Sequence, residues 1–270
     1  MKAPSNIIRI TLLSLTGLCV GGASARAELT DGGAGADRAA SLSYYQGDDG
    51  IADVRMEITD SQGRVREREM TILRKDQGED LGKQRFFVYF QAPADVARTT
   101  FLVWKNPGAD DDRWLYLPAL DLVRRIAASD ERTSFVGSHF YYEDVSGRSP
   151  EEDEHELEEV TDTYYVLRST PRNPDEVEFD HYRSWIHKET FLPVRTEYYR
   201  ANGDVYRRYE ALAVETIDGF PTVVRSRMSD LERNGSTVLE YSNVQYDRGA
   251  DADIFEERYL RNPPAEVVDR

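Results

Sequence analysis

The chain has 270 residues, with 50 acidic against 34 basic side chains and a formal net charge of −16. A surface of that sign is a poor match for nucleic acid or anionic lipid headgroups, whose phosphates are met by Lys and Arg. The single cysteine, Cys19, excludes a disulfide framework.

Residues 1–27 read as a secretory leader: Lys2 and Arg9 are followed by an apolar stretch over 10–20 and a small-x-small site at Ala25-Arg26-Ala27. Cleavage is expected after Ala27. The apolar stretch is shorter than the roughly 20 residues a membrane-spanning helix needs. Leu18 before Cys19 argues against lipidation there, where Gly or Ala would be wanted. Cleavage removes the cysteine and three bases but no acid, so the remaining chain is more acidic still. Residues 28–270 contain no Pro/Gly/Ser linker and are expected to form one domain. The Gly-rich tract 30–37 and the acidic tract 149–159 look loose, the latter as a mobile loop.

A short helix is expected over 37–45, capped by Asp37. Ala52, Val54, Met56 and Ile58 then alternate with Asp53, Arg55, Glu57 and Thr59, a half-buried strand. A turn at Ser61-Gln62-Gly63 leads into a second strand over 65–75. Strands over 85–91, 101–105, 112–117 and 121–127 follow. The run from Ser129 to Glu154 breaks the period, and Ser138 there reads as the cap of a short helix carrying Phe140, Tyr141 and Tyr142. Strands resume over 156–162, 163–169, 179–186 and 194–200. Asn202-Gly203, Asp218-Gly219 and Asn234-Gly235 then fall at equal spacing, residues suited to the positive φ of tight hairpins. The arms between them run to roughly a dozen residues, about twice the usual strand. Long antiparallel strands twist, and a broad twisted sheet curls around something. No helix is long enough for a βαβ crossover, so a parallel sheet is not expected. The tail after Asp253 is expected to dock on a sheet edge, with Pro263-Pro264 ending order.

Catalytic parts are scarce. His139, His155, His181 and His187 show no zinc-binding helical spacing, and no Gly-x-Ser-x-Gly elbow is present. Asp48-Asp49-Gly50 and Asp110-Asp111-Asp112 lack the alternating acids and distant Glu of a calcium loop, and turn chemistry accounts for both. With acids this abundant, a carboxylate pair carries no information. No enzyme activity, metal or cofactor is expected.

The aromatic stock says more: 16 Tyr, 10 Phe and 3 Trp. In Phe86-Phe87-Val88-Tyr89-Phe90 and Phe101-Leu102-Val103-Trp104 both strand faces are apolar, so each needs a cover. A curved sheet holding helices in its hollow supplies one; two sheets packed as a sandwich is the alternative.

Trp114-Leu115-Tyr116-Leu117-Pro118, Val123-Arg124-Arg125-Ile126 and Ser134-Phe135-Val136-Gly137-Ser138-His139-Phe140-Tyr141-Tyr142-Glu143-Asp144 resemble the signature of the periplasmic, LolA-like outer-membrane lipoprotein-sorting proteins, in their longer subgroup. Gly47-Asp48-Asp49-Gly50, Gln91-Ala92-Pro93-Ala94-Asp95-Val96, Trp185-Ile186 and Leu192-Pro193-Val194-Arg195 extend the likeness over most of the chain. The resemblance implies a mainly β fold: a strongly curved antiparallel half-barrel with a lid of a few short helices, in which Trp114 and Tyr116 lie on a central strand. It implies a periplasmic carrier that shields acyl chains of a lipoprotein or another lipid in a hydrophobic groove. For that groove we expect Phe86, Val88, Phe90, Leu102, Trp104, Leu115, Leu117, Phe140 and Tyr141, with Arg124 or Arg125 as the lid tether. Such a carrier acts as a monomer and exchanges cargo with an inner-membrane transporter. The alternative is a periplasmic sensor or adaptor that docks a membrane exporter or regulatory protein without lipid transfer.

Overall fold

The computed structural model describes residues 29–44, 46–78 and 82–269, so the expected leader lies outside the described residues. Thirteen strands form the framework: β1 (Asp49–Thr59), β2 (Val65–Asp76), β3 (Gln84–Ala92), β4 (Thr100–Lys105), β5 (Asp112–Leu117), β6 (Leu122–Ile126), β7 (Asp153–Val160), β8 (Tyr164–Pro171), β9 (His181–His187), β10 (Pro193–Tyr199), β11 (Val205–Ile217), β12 (Phe220–Asp230) and β13 (Gly235–Tyr246). All pair antiparallel in one sheet, in the order β6-β5-β4-β3-β2-β1-β13-β12-β11-β10-β9-β8-β7. The first and last strands therefore meet in the middle, and β6 and β7 are free edges. The sheet is curved and open, which excludes the sandwich. β5 is next to an edge, not central as the resemblance implied, because the first six strands meander outward from β1.

On the hollow face Ala52, Val54, Met56 and Ile58 of β1 are buried, as their alternation requires. They join Met70, Phe86, Val88, Phe90, Phe101, Val103, Leu115, Met228 and Leu239 in one cluster. The chain between the two free edges, residues 127–152, crosses this face. It contributes Phe135, Phe140 and Tyr142 to the cluster and forms helix α2 (Tyr142–Ser146). Tyr141 rather than Ser138 precedes α2, whose first turn is closed by the Asp144 carboxylate accepting from the Tyr141 amide at 2.5 Å.

The outer faces of β3 to β5 are covered by a different segment. Phe87, Tyr89, Leu102, Trp114 and Tyr116 pack against Ile254, Phe255, Leu260 and Val267. Trp104 Nε1 donates to the Phe255 carbonyl and Thr100 Oγ1 to that of Leu260, both at 2.7 Å. The tail thus docks on a face, not an edge, and order continues past Pro263-Pro264 into α3 (Ala265–Val268), whose Val267 is fully buried. Two covers, one on each side, explain why these strands are apolar on both faces.

Both tracts read as loose are ordered. Helix α1 spans Gly32–Tyr44 and begins inside the Gly-rich tract. Its glycines are close-approach positions: a Cβ on Gly32 would meet the His155 carbonyl oxygen at 2.6 Å, and one on Gly35 would meet Leu29 Cδ2 at 2.5 Å. This lets the helix lie against β7 and β8, with Ala39 among Tyr165, Leu167, Ile186 and Phe191. The acidic tract runs from a short 3₁₀ turn into edge strand β7. Of the three evenly spaced turns, only Asp218-Gly219 has positive φ at both residues (52° and 89°). Gly203 (87°) and Asn234 (54°) each supply a single such residue.

Truncating the tail tests the outer cover. Leu260→Ala removes a side chain with no exposure. The expected loss is about 2–5 kcal/mol of unfolding free energy, read as a lower urea midpoint with unchanged slope.

Candidate functional site

Beneath α1 and α2 the hollow of the sheet is not filled. A cavity of about 310 Å³ remains, walled by β1, β2, β3 and β10 to β13 and roofed by Tyr44 of α1 and by Phe135, Phe140 and Val145 of the crossing segment. Met56, Met70 and Met228 line it, which is every methionine of the chain except Met1. Unbranched thioethers repack around irregular apolar shapes at little cost. Tyr198, Tyr209 and Tyr241 stand between them. Burial pushes the Tyr241 hydroxyl up to about 12 and moves Tyr198 and Tyr209 further in the same direction, so these groups stay neutral. Charge enters the lining only through Arg74 and Asp144, and both are paired.

The groove residues expected from sequence divide. Phe86 and Phe140 line the cavity. Val88, Phe90 and Leu115 share its face but are buried under the crossing segment, with Phe90 and Phe135 ring centroids 5.8 Å apart; Leu117 is half-buried at the rim of the same cluster. Leu102 and Trp104 face the tail on the other side. The register decides this: Phe86 pairs with Val103 and Val88 with Phe101, so Val103 and Phe101 are the β4 residues that share their face. Tyr141 lies outside the cavity lining, with the Arg207 guanidinium 3.9 Å from its ring centre.

Arg124 and Arg125 are exposed and pair with Asp130 and Asp112. The crossing segment is tied down by other cations. Arg207 of β11, 2% exposed, donates to the His139 carbonyl at 3.1 Å and to the Asp144 carboxylate. Arg132 bonds both oxygens of Glu178 (2.7 and 2.9 Å) and reaches Glu143. Arg148 bridges Glu143, Glu152 and Asp153 at 2.6–3.0 Å. Lys105 Nζ donates to the Ser146 carbonyl at 3.0 Å and to that of Gly147. Burial opposes ionisation of Glu178, yet Arg132 and the Tyr206 hydroxyl bring its pKa down to about 2. Glu131, Glu143 and Glu152 place carboxylate oxygens within 4.8 Å of one another. That cluster is occupied by arginines: Glu143 lies between Arg132 and Arg148, and Glu131 faces Arg113 at 2.5 Å.

A family model described as "-like: Uncharacterized protein" matches residues 82–262. A DUF1329 family protein from Desulfovibrio piger is 31% identical; the alignment covers 84% of this chain and 98% of that one, with a TM-score of 0.76. A putative outer membrane lipoprotein-sorting protein domain from Vibrio parahaemolyticus is 25% identical over 86% of this chain and 98% of its own, also at 0.76. The fold is shared with a LolA superfamily protein from Nitrosomonas europaea (18% identity, 86% and 100% coverage, TM-score 0.66). This chain belongs to the DUF1329 family, and its fold is LolA-like. No curated protein matches it. Among the described residues of this LolA-like chain no helix is long and apolar enough to cross a membrane, which says nothing of strands.

Sequence reasoning missed the methionines and tyrosines of the lining. The signal was present in Met56, which sits in the alternating β1 pattern. The tethering arginines carried no local signal, because Arg207 and Asp144 are brought together only by the crossing segment.

Two outcomes test the tether. Arg207→Met leaves Asp144 without its counter-charge; it should cost about 3–5 kcal/mol and raise amide exchange in 131–148 before the sheet loosens. Burial pushes Glu131 up to about 7, with Glu143 and Glu152 adding and Arg113 opposing. The folded state therefore holds this proton more tightly than the unfolded one, and stability falls as pH rises from 4.5 to about 7. Glu131→Gln should raise the melting temperature at pH 8 and leave it nearly unchanged at pH 4.

Proposed function

We propose that this LolA-like chain is a periplasmic carrier, without enzymatic activity, that shields an acyl chain of a lipoprotein or another lipid from water. In this reading the leader is cleaved after Ala27 and residues 28–270 act as one monomeric domain, which receives cargo from or passes it to an inner-membrane transporter. The observation that carries the reading is the unfilled apolar hollow of about 310 Å³ lined by Met56, Met70 and Met228. A core packed for stability alone leaves no void of this size, and ligand pockets begin at about 300 Å³. Each methylene moved out of water contributes about 0.8 kcal/mol, so about ten of them offset the freedom lost on binding. The Vibrio parahaemolyticus relative carries a lipoprotein-sorting description, which points the same way.

The test is titration of a fluorescent fatty acid or a triacyl lipopeptide into the purified protein. Saturable binding near one equivalent is expected. Val244→Asp places a charge in the half-exposed part of the lining. It should weaken binding by about tenfold or more, the cost of a charge in an apolar site, while circular dichroism stays unchanged. A well-folded wild type that binds neither probe would overturn the carrier reading, and a stoichiometric protein partner in its place would favour the adaptor.

A further inference from the structure

The wall of the cavity has a break in it. β12 and β13 pair from Arg225↔Glu240 to Asp230↔Gly235, and among the described residues no ladder pair continues beyond Arg225. Past that point β13 stays with β1, from Val54↔Tyr241 to Gly50↔Tyr246, while residues 220–224 of β12 stay with β11. β11 in turn leaves β10 after Glu210. Residues 211–224 therefore form a two-stranded arm joined to neither flanking strand by a backbone ladder.

Bulges on both sides of the break produce it. Between Ile51 and Asp53 of β1, β13 carries an extra residue, and Asn243 there takes φ 49°. The β11–β12 register shifts between Ala211 and Val214. A bulge bends its strand and increases local twist, so two bulges at one level turn β12 and β13 apart.

Side chains alone close the gap. Tyr246 spans it: its hydroxyl lies 2.9 Å from Thr222 Oγ1, its ring centre 5.0 Å from that of Phe220, and its amide 3.4 Å from Asp218 Oδ2. Gln46 Nε2 adds a bond to the Pro221 carbonyl at 2.7 Å. Thr222 and Val223 on one side of the seam, and Tyr241, Val244 and Tyr246 on the other, are all cavity-lining residues. The apolar lining also continues outward, because Val223 is paired with Val214, which is 42% exposed. On the far side of the sheet β3 to β5 are backed by the tail, and above the cavity the crossing segment is held by buried ion pairs. The seam is held by neither.

We propose that the β12–β13 seam is the lateral port through which a hydrocarbon chain slides into the cavity, with the 211–224 arm swinging as its gate. The proposal rests on the carrier reading and adds the route. Opening breaks the Tyr246 and Gln46 contacts and no strand ladder, so the gate moves without unfolding the sheet. A chain entering sideways leaves its polar head outside.

The experiment pins the gate. In a Cys19→Ser background, Asp218→Cys and Gln245→Cys place thiols on the two sides of the seam, outside the cavity lining, where the Asp218 side chain already reaches the neighbouring Tyr246 amide. A short bis-methanethiosulfonate joins them and reductant frees them, so each sample is its own control. Stopped-flow uptake of a pyrene-labelled fatty acid should slow by about tenfold or more on joining, release from preloaded protein should slow likewise, and reductant should restore both. Unchanged uptake and release in the joined protein would overturn the port and leave the carrier intact. If the reduced protein shows no saturable binding, the test passes to an otherwise unsubstituted chain. No binding there overturns the carrier and the port with it. Binding there is followed by hydrogen exchange, in which the amides of 222–224 and 241–246 should exchange faster than those of the paired stretches 225–230 and 235–240 and slow on loading. Equal protection along both strands overturns the port.

Discussion

A guanidinium taken out of water costs several kcal/mol, so Arg132, Arg148 and Arg207 remain inside only where carboxylates meet them. Glu143, Glu178, Asp153 and Asp144 do so, and three of the partners lie on the segment that crosses the hollow or on the start of β7 that follows it. These pairs fix where the segment runs. That position keeps Phe135 and Tyr142 against Phe90 and Phe101 and stops the roof from dropping further into the hollow. Hydrophobic collapse alone would favour a smaller void, because every lining atom without a neighbour forfeits dispersion energy. Directional ion pairs hold the roof at a height set by their own geometry. The cavity therefore persists beneath a stable roof, and stability and emptiness come from the same network.

The division of labour between the two faces of β3 to β5 follows. The hollow face is covered by a segment whose position polar bonds dictate. The outer face is covered by the tail, where Phe255, Leu260 and Val267 are buried and two carbonyls accept from Trp104 and Thr100. The tail stiffens β3 to β5, of which only β3, through Phe86, reaches the cavity. The other half, from β10 to β13, carries most of the strand residues of the lining, and β11 to β13 are long strands whose ends are half exposed. One half of the sheet is packed on both sides, and the other presents one side to an open space.

Much of the architecture was legible because strands declare themselves locally. The alternation from Ala52 to Thr59, the two-faced runs at Phe86 and Phe101, and the dipeptide at Asp218-Gly219 each appear in the structure as strands or as a two-residue turn. What stayed hidden depended on partners distant in sequence. Gly32 and Gly35 looked like a flexible tract because nothing local shows that His155 and Leu167 lie against them. Leu102 and Trp104 were assigned to the groove because a run apolar on both faces does not say which face is which; the Phe86↔Val103 register settles it. Arg124 and Arg125 are adjacent cations in a recognisable motif, yet their strand is the free edge β6 and both side chains face solvent. Arg207 stands in an ordinary strand sequence, and its importance arises from the long-range meeting with Asp144 and Tyr141.

The composition of the lining bears on how selective the hollow can be. A site that discriminates by hydrogen bonding leaves buried donors and acceptors waiting for the right partner and is penalised when the wrong one arrives. Here the charged groups of the lining are already paired, with Arg74 on Asp76 and on the backbone carbonyls of Gln46 and Gly47, and Asp144 on Arg207. The rest of the lining is mainly aliphatic side chains, methionine, phenylalanine and the rings of neutral tyrosines, with Ser43, Gln46, Thr196, Thr222 and Ser226 as its neutral polar groups. The apolar part of such a wall distinguishes occupants by length and girth, at about 1–3 kcal/mol per misplaced methylene. With no unpaired charge in the lining, discrimination between charged headgroups falls to the surface, where the polar part of an occupant meets a strongly acidic chain.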